Sequence, residues 1–432
     1  MAGRQDSGVE PLATIERLIA EHGRITFARF MELALYGPGG YYVSADRHRT
    51  GDYFTAPSAH PAFSALLAVQ VRQLWELMGS PSPFHVVEVG AGGCRLAESF
   101  VDYASRLSPE FARALEYAAV DCSIARPADS RVQAVRGFGL PVRRVEGCVL
   151  SNELPDAFPV HRFAIRDGRV LEVYVTREDG CLVETLDAPS TPRIEHRLSS
   201  LGLNLPDGFR GEVNLALDDW MEEVSQALAR GFVLTVDYGH SAQDLYAPER
   251  SGGTLRCYYE HTLQGDPYRR VGRQDMTAHV DFTSLARAGE ERGLAVAGFT
   301  SQREFLLNLG LSGLVESLAG MELSQRERDA NRMGMLELAK RDGMGDFRVM
   351  AQARGVEKDV ELLGFSQDSP LRRVAPDEAA LPPAPLLSSE HLDLMAGRYP
   401  HLAWEWEAMW PGSEREESGC ALSQWASTVV VV

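Results

Sequence analysis

The chain has 432 residues, of which 44% are hydrophobic and 24% are charged, as in a soluble protein whose core needs neither disulfides nor a metal to fold. Its formal net charge of -18 argues against a nucleic-acid partner, because contacts to phosphates need clustered Lys and Arg. No apolar stretch is long enough to span a bilayer, and the first residues do not form a secretory signal. We therefore expect a cytoplasmic protein, bacterial if the start is native.

The first predicted elements are helical. Apolar residues recur at helical spacing over residues 11–36 and again over residues 61–78, with a glycine-rich turn at 36–40 between them. These helices define a predicted helical N-terminal region, residues 1–80.

Strands and helices alternate from residue 81 to residue 355, which favours a parallel, doubly wound sheet. The predicted strands cover residues 84–89, 117–121, 148–151, 232–237, 294–299 and 347–351. The predicted helices cover residues 96–107, 282–292 and 301–341, the last broken near Gly310 and Gly320.

The gap between the third and fourth predicted strands is too long for one crossover helix. It contains alternating segments, so we predict an α+β insertion at about residues 160–215 that binds the acceptor or acts as a lid. Residues 356–432 begin with a proline-rich stretch and are interpreted as a linker and a C-terminal tail of unknown role.

A glycine loop follows the first predicted strand. Gly90 and Gly92 let the backbone turn tightly and approach a ligand closely. The fit to the NAD fingerprint is poor, because Arg95 occupies its last glycine position. The Glu88-x-Gly-x-Gly pattern suits S-adenosylmethionine (SAM), which has no pyrophosphate; a plain structural turn is the alternative.

Carboxylates follow the next two strands. Asp121 could accept hydrogen bonds from both ribose hydroxyls of a nucleoside cofactor, or could cap the following segment. Glu153 and Asp156 lie in a loop stiffened by two prolines, and a carboxylate pair matches the fork of donors on a guanidinium. The same loop could accept from a hydroxyl or an amine, or could cap the next element.

Histidines and an aspartate near the fourth strand raise the question of a metal. Their spacings are long and irregular and match no HExxH or EF-hand pattern, so we predict no metal site from His240, His261, His279 and Asp281. The remaining interpretations of His240 are a structural histidine or a proton acceptor. Because parallel strands present their carboxyl ends at one crevice, we expect the glycine loop, the carboxylate loop and the 236–240 turn to share a pocket.

Taken in order, these motifs resemble the MidA-like family of SAM-dependent methyltransferases, which includes a mitochondrial arginine methyltransferase that serves assembly of respiratory complex I. The resemblance runs over residues 24–354. Its motifs include residues 25–36, 39–42, 51–57, 88–92, 151–161, 236–240, 253–258, 275–282, 300–302 and 343–347.

The resemblance implies a class I methyltransferase fold, a Rossmann-like doubly wound sheet, with SAM as cofactor and residues 51–57 folded over the cofactor side. The resemblance and the interpretation of the individual motifs together give the residues expected to bind the cofactor: Gly51, Asp52, Thr55, Pro57, Glu88, Gly90, Gly92, Asp121 and Asn152.

The expected reaction is methylation of a protein arginine. Glu153 and Asp156 would localise the positive charge of the guanidinium, and His240 would take the released proton. The family role makes a subunit of respiratory complex I the expected partner, and a homodimer remains an open alternative.

The chain departs from the family pattern at several places, including the usual Phe-Gly-Glu, here residues 63–65, and the usual aromatic pair, here Leu154-Pro155. Cys94 stands where the third glycine is usual, Ala91 replaces a proline, and Ser58 replaces an acid. A Cβ at position 94 is expected to enter a crowded place. Two alternatives therefore stay open: a catalytically silent assembly or scaffold protein with the same fold, and a small-molecule N- or O-methyltransferase with the insertion as its lid.

Overall fold

The computed structural model describes residues 10–44, 55–259, 262–357, 360–373, 381–388 and 391. The strands are β1 Ile25–Thr26, β2 Phe84–Val89, β3 Leu115–Asp121, β4 Val132–Arg136, β5 Val145–Asn152, β6 His161–Arg166, β7 Arg169–Glu178, β8 Cys181–Asp187, β9 Arg210–Val213, β10 Leu228–Asp237, β11 Gly239–His240, β12 Arg256–Tyr259, β13 Thr262–Gln264, β14 Asp275–Thr277, β15 Val280–Asp281, β16 Ala295–Ser301 and β17 Arg348–Arg354.

The α-helices are Pro11–His22, Phe27–Tyr36, Ala56–Ala59, Ala62–Leu77, Arg95–Leu107, Pro109–Ala114, Pro192–Ser200, Ala216–Ala227, Ala242–Leu245, Phe282–Glu290, Gln302–Asn308, Leu311–Ser317 and Gln325–Leu338. In the described part of the chain, no helix combines the length and the apolar character needed to cross a membrane.

A seven-stranded sheet forms the centre of the fold, in the order β16-β17-β10-β5-β2-β3-β4. The run from β4 to β10 is parallel, and β17 pairs antiparallel with both β10 and β16. This mostly parallel sheet confirms the predicted α/β class. The six predicted strands all occur in it.

Helices cover both faces of this sheet, because alternate residues of its strands are apolar on opposite sides. On β2, Val86 packs into one core with helices Ala62–Leu77 and Arg95–Leu107. Its neighbour Val87 packs into a second core with helices Ala216–Ala227 and Phe282–Glu290. Burial on both faces is what a near-continuous apolar strand of a parallel sheet requires.

The predicted insertion forms a second sheet, in which β7 pairs with β6, β8 and β1 and β6 pairs with β9. Helix Pro192–Ser200 packs its buried Ile194 and Leu198 against this second sheet, in a small core of their own. One strand, β1, comes from the N-terminal region: Ile25 lies opposite Val175.

Three features differ from the sequence-based expectations. Residues 11–36 form two helices instead of one, because Gly23 ends the first with a φ of 80°. Edge strand β4 was not predicted, since only its first residue is buried. The stretch after residue 355, which was expected to be a linker, also packs on the sheet domain. The Asn308 amide donates to the Gly364 carbonyl, and the Tyr103 hydroxyl donates to the Pro382 carbonyl.

Candidate functional site

A cavity of about 1230 Å³ opens at the carboxyl ends of β2, β3 and β5. Its wall comes from helix Phe27–Tyr36, residues 55–58, the loop after β2, residues 152–161 and helix Ala216–Ala227, among others. The glycine loop, the carboxylate loop and Tyr238 of the 236–240 turn therefore share one pocket, as the strand order predicts.

The glycine loop takes a conformation that depends on its glycines. Gly90 and Gly92 have φ values of 80° and 50°, in the region that residues with a side chain rarely occupy. A Cβ on Gly90 would lie 3.1 Å from Cδ1 of Leu154, whereas one on Gly92 would meet no atom within 4 Å. Gly92 lines the cavity, so the loop presents bare backbone to it.

Cys94 keeps the shape of this loop without entering the cavity. Its φ of 61° is left-handed, which explains why glycine suits the position. Its side chain is fully buried in the core below helix Arg95–Leu107, and Sγ lies 3.7 Å from the Ala125 carbonyl oxygen. Burial raises the pKa of the thiol to about 12. The Cβ at position 94 therefore lies in the packed core, and Cys94 is not among the described residues that line the cavity.

Two carboxyls lie beside the glycine loop. Asp121 accepts hydrogen bonds from the N–H groups of Gly92 (2.9 Å) and Ser123 (2.8 Å), so it fixes the loop and caps the next turn at once. Glu88 accepts from the Tyr117 hydroxyl at 2.8 Å, and burial raises its pKa to about 7. Both residues line the cavity.

The carboxylate loop forms the adjoining wall. Glu153 has a left-handed φ of 49° and donates its N–H to the Val236 carbonyl oxygen at 2.9 Å. Burial and then repulsion from Asp156 raise the pKa of Glu153 to about 8. Burial raises the pKa of Asp156 to about 6, although the Tyr238 hydroxyl binds its carboxyl. The two carboxyls therefore line one low-dielectric wall.

Asn152 ends β5 and completes this wall. Its amide nitrogen donates to Glu153 Oε1 at 3.2 Å, while its Oδ1 is buried and has no hydrogen-bond partner among the described residues. An unpaired buried amide oxygen is costly, so it is suited to a ligand N–H or O–H donor.

Asp237, at the end of β10, anchors the carboxylate loop. Its carboxyl accepts from the N–H groups of Asp156 (3.3 Å) and Tyr238 (2.8 Å). Burial and repulsion from Asp156 and Glu153 raise its pKa well above the ordinary value. It is fully buried, and the sequence-based site did not include it.

The N-terminal segment contributes Thr55 and Pro57, both of which line the cavity, as the resemblance implies. Thr55 precedes the short helix Ala56–Ala59, and its hydroxyl lies 3.2 Å from that of Ser58. Gly51 and Asp52, which belong to the expected cofactor set, lie outside the described residues.

His240 is not among the described residues that line the cavity, whereas Glu153 and Asp156, the other predicted catalytic residues, are. After β10 the chain turns, and β11 pairs with β15 so that His240 lies opposite Asp281. Its ring lies 5.2 Å from that of His279. Burial lowers the pKa of His240.

A different histidine lines the cavity. His161 begins β6, and its Nδ1 lies 2.7 Å from Oε1 of Glu172, whose side chain is fully buried. The resemblance motif ends at His161, but its partner comes from the next strand of a hairpin. Sequence spacing could not have identified the pair.

No group of three or more His, Cys, Asp or Glu side chains is placed to hold a metal ion in the part of the chain that the structure describes. That statement does not extend to His261, which lies outside it.

The residues at the glycine-loop end fit the SAM that the resemblance implies. The loop leaves open space where a Cβ would project from Gly92. The Asp121 oxygens each accept one backbone N–H and retain a lone pair for a hydroxyl. The unpaired Oδ1 of Asn152 offers an acceptor for an ammonium group. Gly90, Gly92, Asp121 and Asn152 are therefore the residues that would hold the cofactor.

Comparisons with known proteins agree with this assignment. A family model for S-adenosyl-L-methionine-dependent methyltransferases matches residues 66–300. The chain is 27% identical over 396 residues to the mitochondrial protein arginine methyltransferase NDUFAF7 homolog of Drosophila melanogaster, covering 82% of this chain and 87% of that protein. It is also 27% identical over 332 residues to mitochondrial protein arginine methyltransferase NDUFAF7 of Homo sapiens, covering 68% and 71%.

Two crystal structures of Burkholderia thailandensis proteins match with a TM-score of 0.72 at 32% and 30% identity, each covering 83% of this chain and 94% of that chain. The second contains bound S-adenosyl-homocysteine. The family match, these two relatives and the site geometry lead to one conclusion: the chain belongs to the MidA-like family of SAM-dependent methyltransferases.

Proposed function

We propose that this methyltransferase acts on an arginine side chain of a protein. The observation that supports this most directly is the pair of buried carboxyls, Glu153 and Asp156, in the cavity that also contains the glycine loop. The described residues give neither carboxyl a cationic partner: Glu153 is contacted by Asn152 and the Ala56 N–H, and Asp156 by Tyr238.

A guanidinium would satisfy this wall. Burial holds the pKa values of both carboxyls above their ordinary range, and repulsion from Asp156 raises that of Glu153 further, so a bound cation would stabilise the charged form of each. The guanidinium is planar, permanently charged and presents a fork of N–H donors that two carboxylates can bind. A compact ammonium or a neutral hydroxyl would match two carboxyls less well.

The chain's own residues contribute mainly by positioning. Bound SAM supplies an electrophilic methyl group. Glu153 and Asp156 would each bind a nitrogen of the guanidinium and draw its positive charge toward them, which leaves the third nitrogen free to face the methyl group. Holding two reactants in line can lower a barrier by about 7–11 kcal/mol. The Asn152 amide fixes the Glu153 carboxyl for this role.

The names of the curated relatives support a protein arginine as the acceptor. The family role in complex I assembly makes a subunit of respiratory complex I the protein that we propose as substrate. The intact glycine loop supports an active enzyme over a silent scaffold, since Cys94 does not enter the cavity.

The test is methyl transfer from labelled SAM into lysate protein, followed by amino-acid analysis of the labelled fraction. We expect label in methylarginine with the wild-type chain and about 10- to 100-fold less with E153Q and D156N, because each loses a charge-assisted hydrogen bond of about 1.5–3 kcal/mol. D102N is the control, because Asp102 lies on the exposed face of helix Arg95–Leu107.

Mass spectrometry of the labelled proteins would identify the substrate, and a complex I subunit is the expected one. Label recovered in lipid or small metabolites, with none in arginine, would contradict the proposed function.

A further inference from the structure

We infer that His161 is the base that takes the proton released on methylation, and that Glu172 positions its ring. This inference rests on the proposed function, because the proton comes from the methylated nitrogen. His161 lines the same cavity as Glu153 and Asp156. Its side chain is 18% exposed, so it remains accessible to the cavity.

Glu172 holds the imidazole in one orientation. Its Oε1 lies 2.7 Å from His161 Nδ1, and its Oε2 accepts the Ser190 N–H at 2.5 Å. With a carboxylate facing Nδ1, that nitrogen carries the proton, and Nε2 is left as the acceptor. Nε2 has no hydrogen-bond partner among the described residues.

Glu172 is suited to remain a carboxylate. Burial acts to raise its pKa, but the hydrogen bonds from His161 and Ser190 outweigh burial and hold the pKa below its ordinary value. A buried carboxylate that faces one ring nitrogen also stabilises the imidazolium after the other nitrogen has taken a proton. This arrangement of base and orienting acid recurs in catalysis by histidine.

The reaction requires such a base. A bond forms between a guanidine nitrogen and the methyl carbon, the bond between that carbon and sulfur breaks, and its electron pair stays on sulfur. The attacking nitrogen then holds one proton too many, and that proton moves to Nε2 of His161 and afterwards to water. Glu153 and Asp156 are less suited to take it, because a protonated carboxyl would release the cation that it binds.

The other charged groups near His161 and Glu172 have partners of their own. From helix Phe27–Tyr36, Arg29 and Glu32 line the cavity and bind each other at 2.7 Å. From helix Pro192–Ser200, Arg193 lines the cavity, and Asp218 lies 2.8 Å from it. On β7 itself, Tyr174 is the titratable neighbour that interacts with Glu172. In β9, the strand beside β6, Glu212 accepts from Thr254.

The test compares H161Q and E172Q with a matched control, H85Q. His85 also pairs with a glutamate, Glu116 at 3.3 Å, but it lies at the start of β2, at the opposite end of the sheet from the cavity. Methyl transfer from labelled SAM is measured from pH 6 to 9, with S-adenosyl-homocysteine affinity and melting temperature measured for every variant.

We expect kcat of H161Q to fall about 100-fold or more, the usual range for a lost general base, with unchanged cofactor affinity and partial rescue by added imidazole. E172Q should move the acidic limb of the kcat profile to lower pH, because the imidazolium loses its anionic partner. H85Q should match the wild type. A merely structural role would not move the pH profile.

An H161Q enzyme with kcat within about threefold of the wild type, or a loss that follows an equal loss of cofactor affinity, would overturn the assignment of the base. If the wild type labels arginine and H161Q labels it equally fast, only this inference fails. If the wild type labels no arginine, the proposed function fails, and the inference that rests on it fails too.

Discussion

The N–H of Asp156 donates a hydrogen bond of 3.3 Å to Oδ2 of Asp237, which attaches the carboxylate loop to the end of β10. A residue with a strongly raised pKa therefore holds a second acid in place. The carboxylate loop and the residue that anchors it therefore carry carboxyls whose charged forms repel one another.

We predict that D237N and D237A separate these two effects. The N–H groups of Asp156 and Tyr238 bind different oxygens of Asp237, so Asn keeps one acceptor, loses the other and removes the repulsion. D237N should therefore lose less unfolding free energy than D237A. D237A leaves both donors unpaired and should lose about 1–3 kcal/mol of unfolding free energy. Equal losses in the two variants would contradict this.

Acceptor binding should depend on pH because Glu153 and Asp156 have raised pKa values of about 8 and about 6. A bound guanidinium favours their charged forms, so binding releases protons and affinity rises as pH increases from about 6 to about 8. Calorimetry with an arginine peptide in buffers of different ionisation enthalpy measures this release. E153Q should remove the part of the pH dependence near pH 8. An affinity curve for E153Q that matches the wild type would contradict this prediction.

The same raised pKa values predict the opposite trend for stability without acceptor. Glu153 keeps its proton up to about pH 8 in the folded state, whereas in the unfolded state it loses the proton near its ordinary pKa of 4.5. The folded state therefore binds more protons between these values, and the unfolding free energy falls as pH rises through this window. Thermal melts from pH 5 to pH 8.5 measure the fall, which E153Q should reduce.

Cofactor affinity should be nearly insensitive to residue 94. The buried Cys94 side chain belongs to the core, so C94A and C94G should bind S-adenosyl-homocysteine within about threefold of the wild type. C94G should also relieve left-handed strain of about 1–2 kcal/mol, which offsets part of the lost packing. A loss of affinity above tenfold would mean that the side chain shapes the cavity.

Substitution of Asp121 should weaken cofactor binding more than it lowers the free energy of unfolding. D121N keeps one oxygen for the Gly92 N–H but loses the charge offered to the ribose hydroxyls. Hydrogen bonds to charged groups contribute about 1.5–3 kcal/mol, so we expect a 10- to 100-fold weaker Kd for S-adenosyl-homocysteine by calorimetry. The exposed variant D102N should bind like the wild type.

The sequence predicted the features that depend on local pattern. Apolar runs gave six strands of the central sheet, and the rule for parallel strands placed Gly90, Asp121 and Glu153 at one cavity. Strand β4 escaped prediction because it lies at the edge and is mostly exposed. Its pairing energy comes from β3, which a local pattern does not report.

Features that depend on long-range pairing were not predictable. The contact between His161 and Glu172 follows from the register of a hairpin, and the displacement of His240 follows from the pairing of β11 with β15. One-residue changes of register would reverse which side chains face the cavity. Neither hydrophobic periodicity nor motif spacing fixes such a register.

The pairing of β1 with β7 has a mechanical consequence. Ile25 and Thr26 connect two helices of the N-terminal region, yet they are hydrogen-bonded into the sheet of the insertion. Helix Phe27–Tyr36 on one wall of the cavity and the hairpin that carries Glu172 therefore belong to a single mechanical unit. Any movement of the cavity wall on this side must therefore move the helix and the hairpin together.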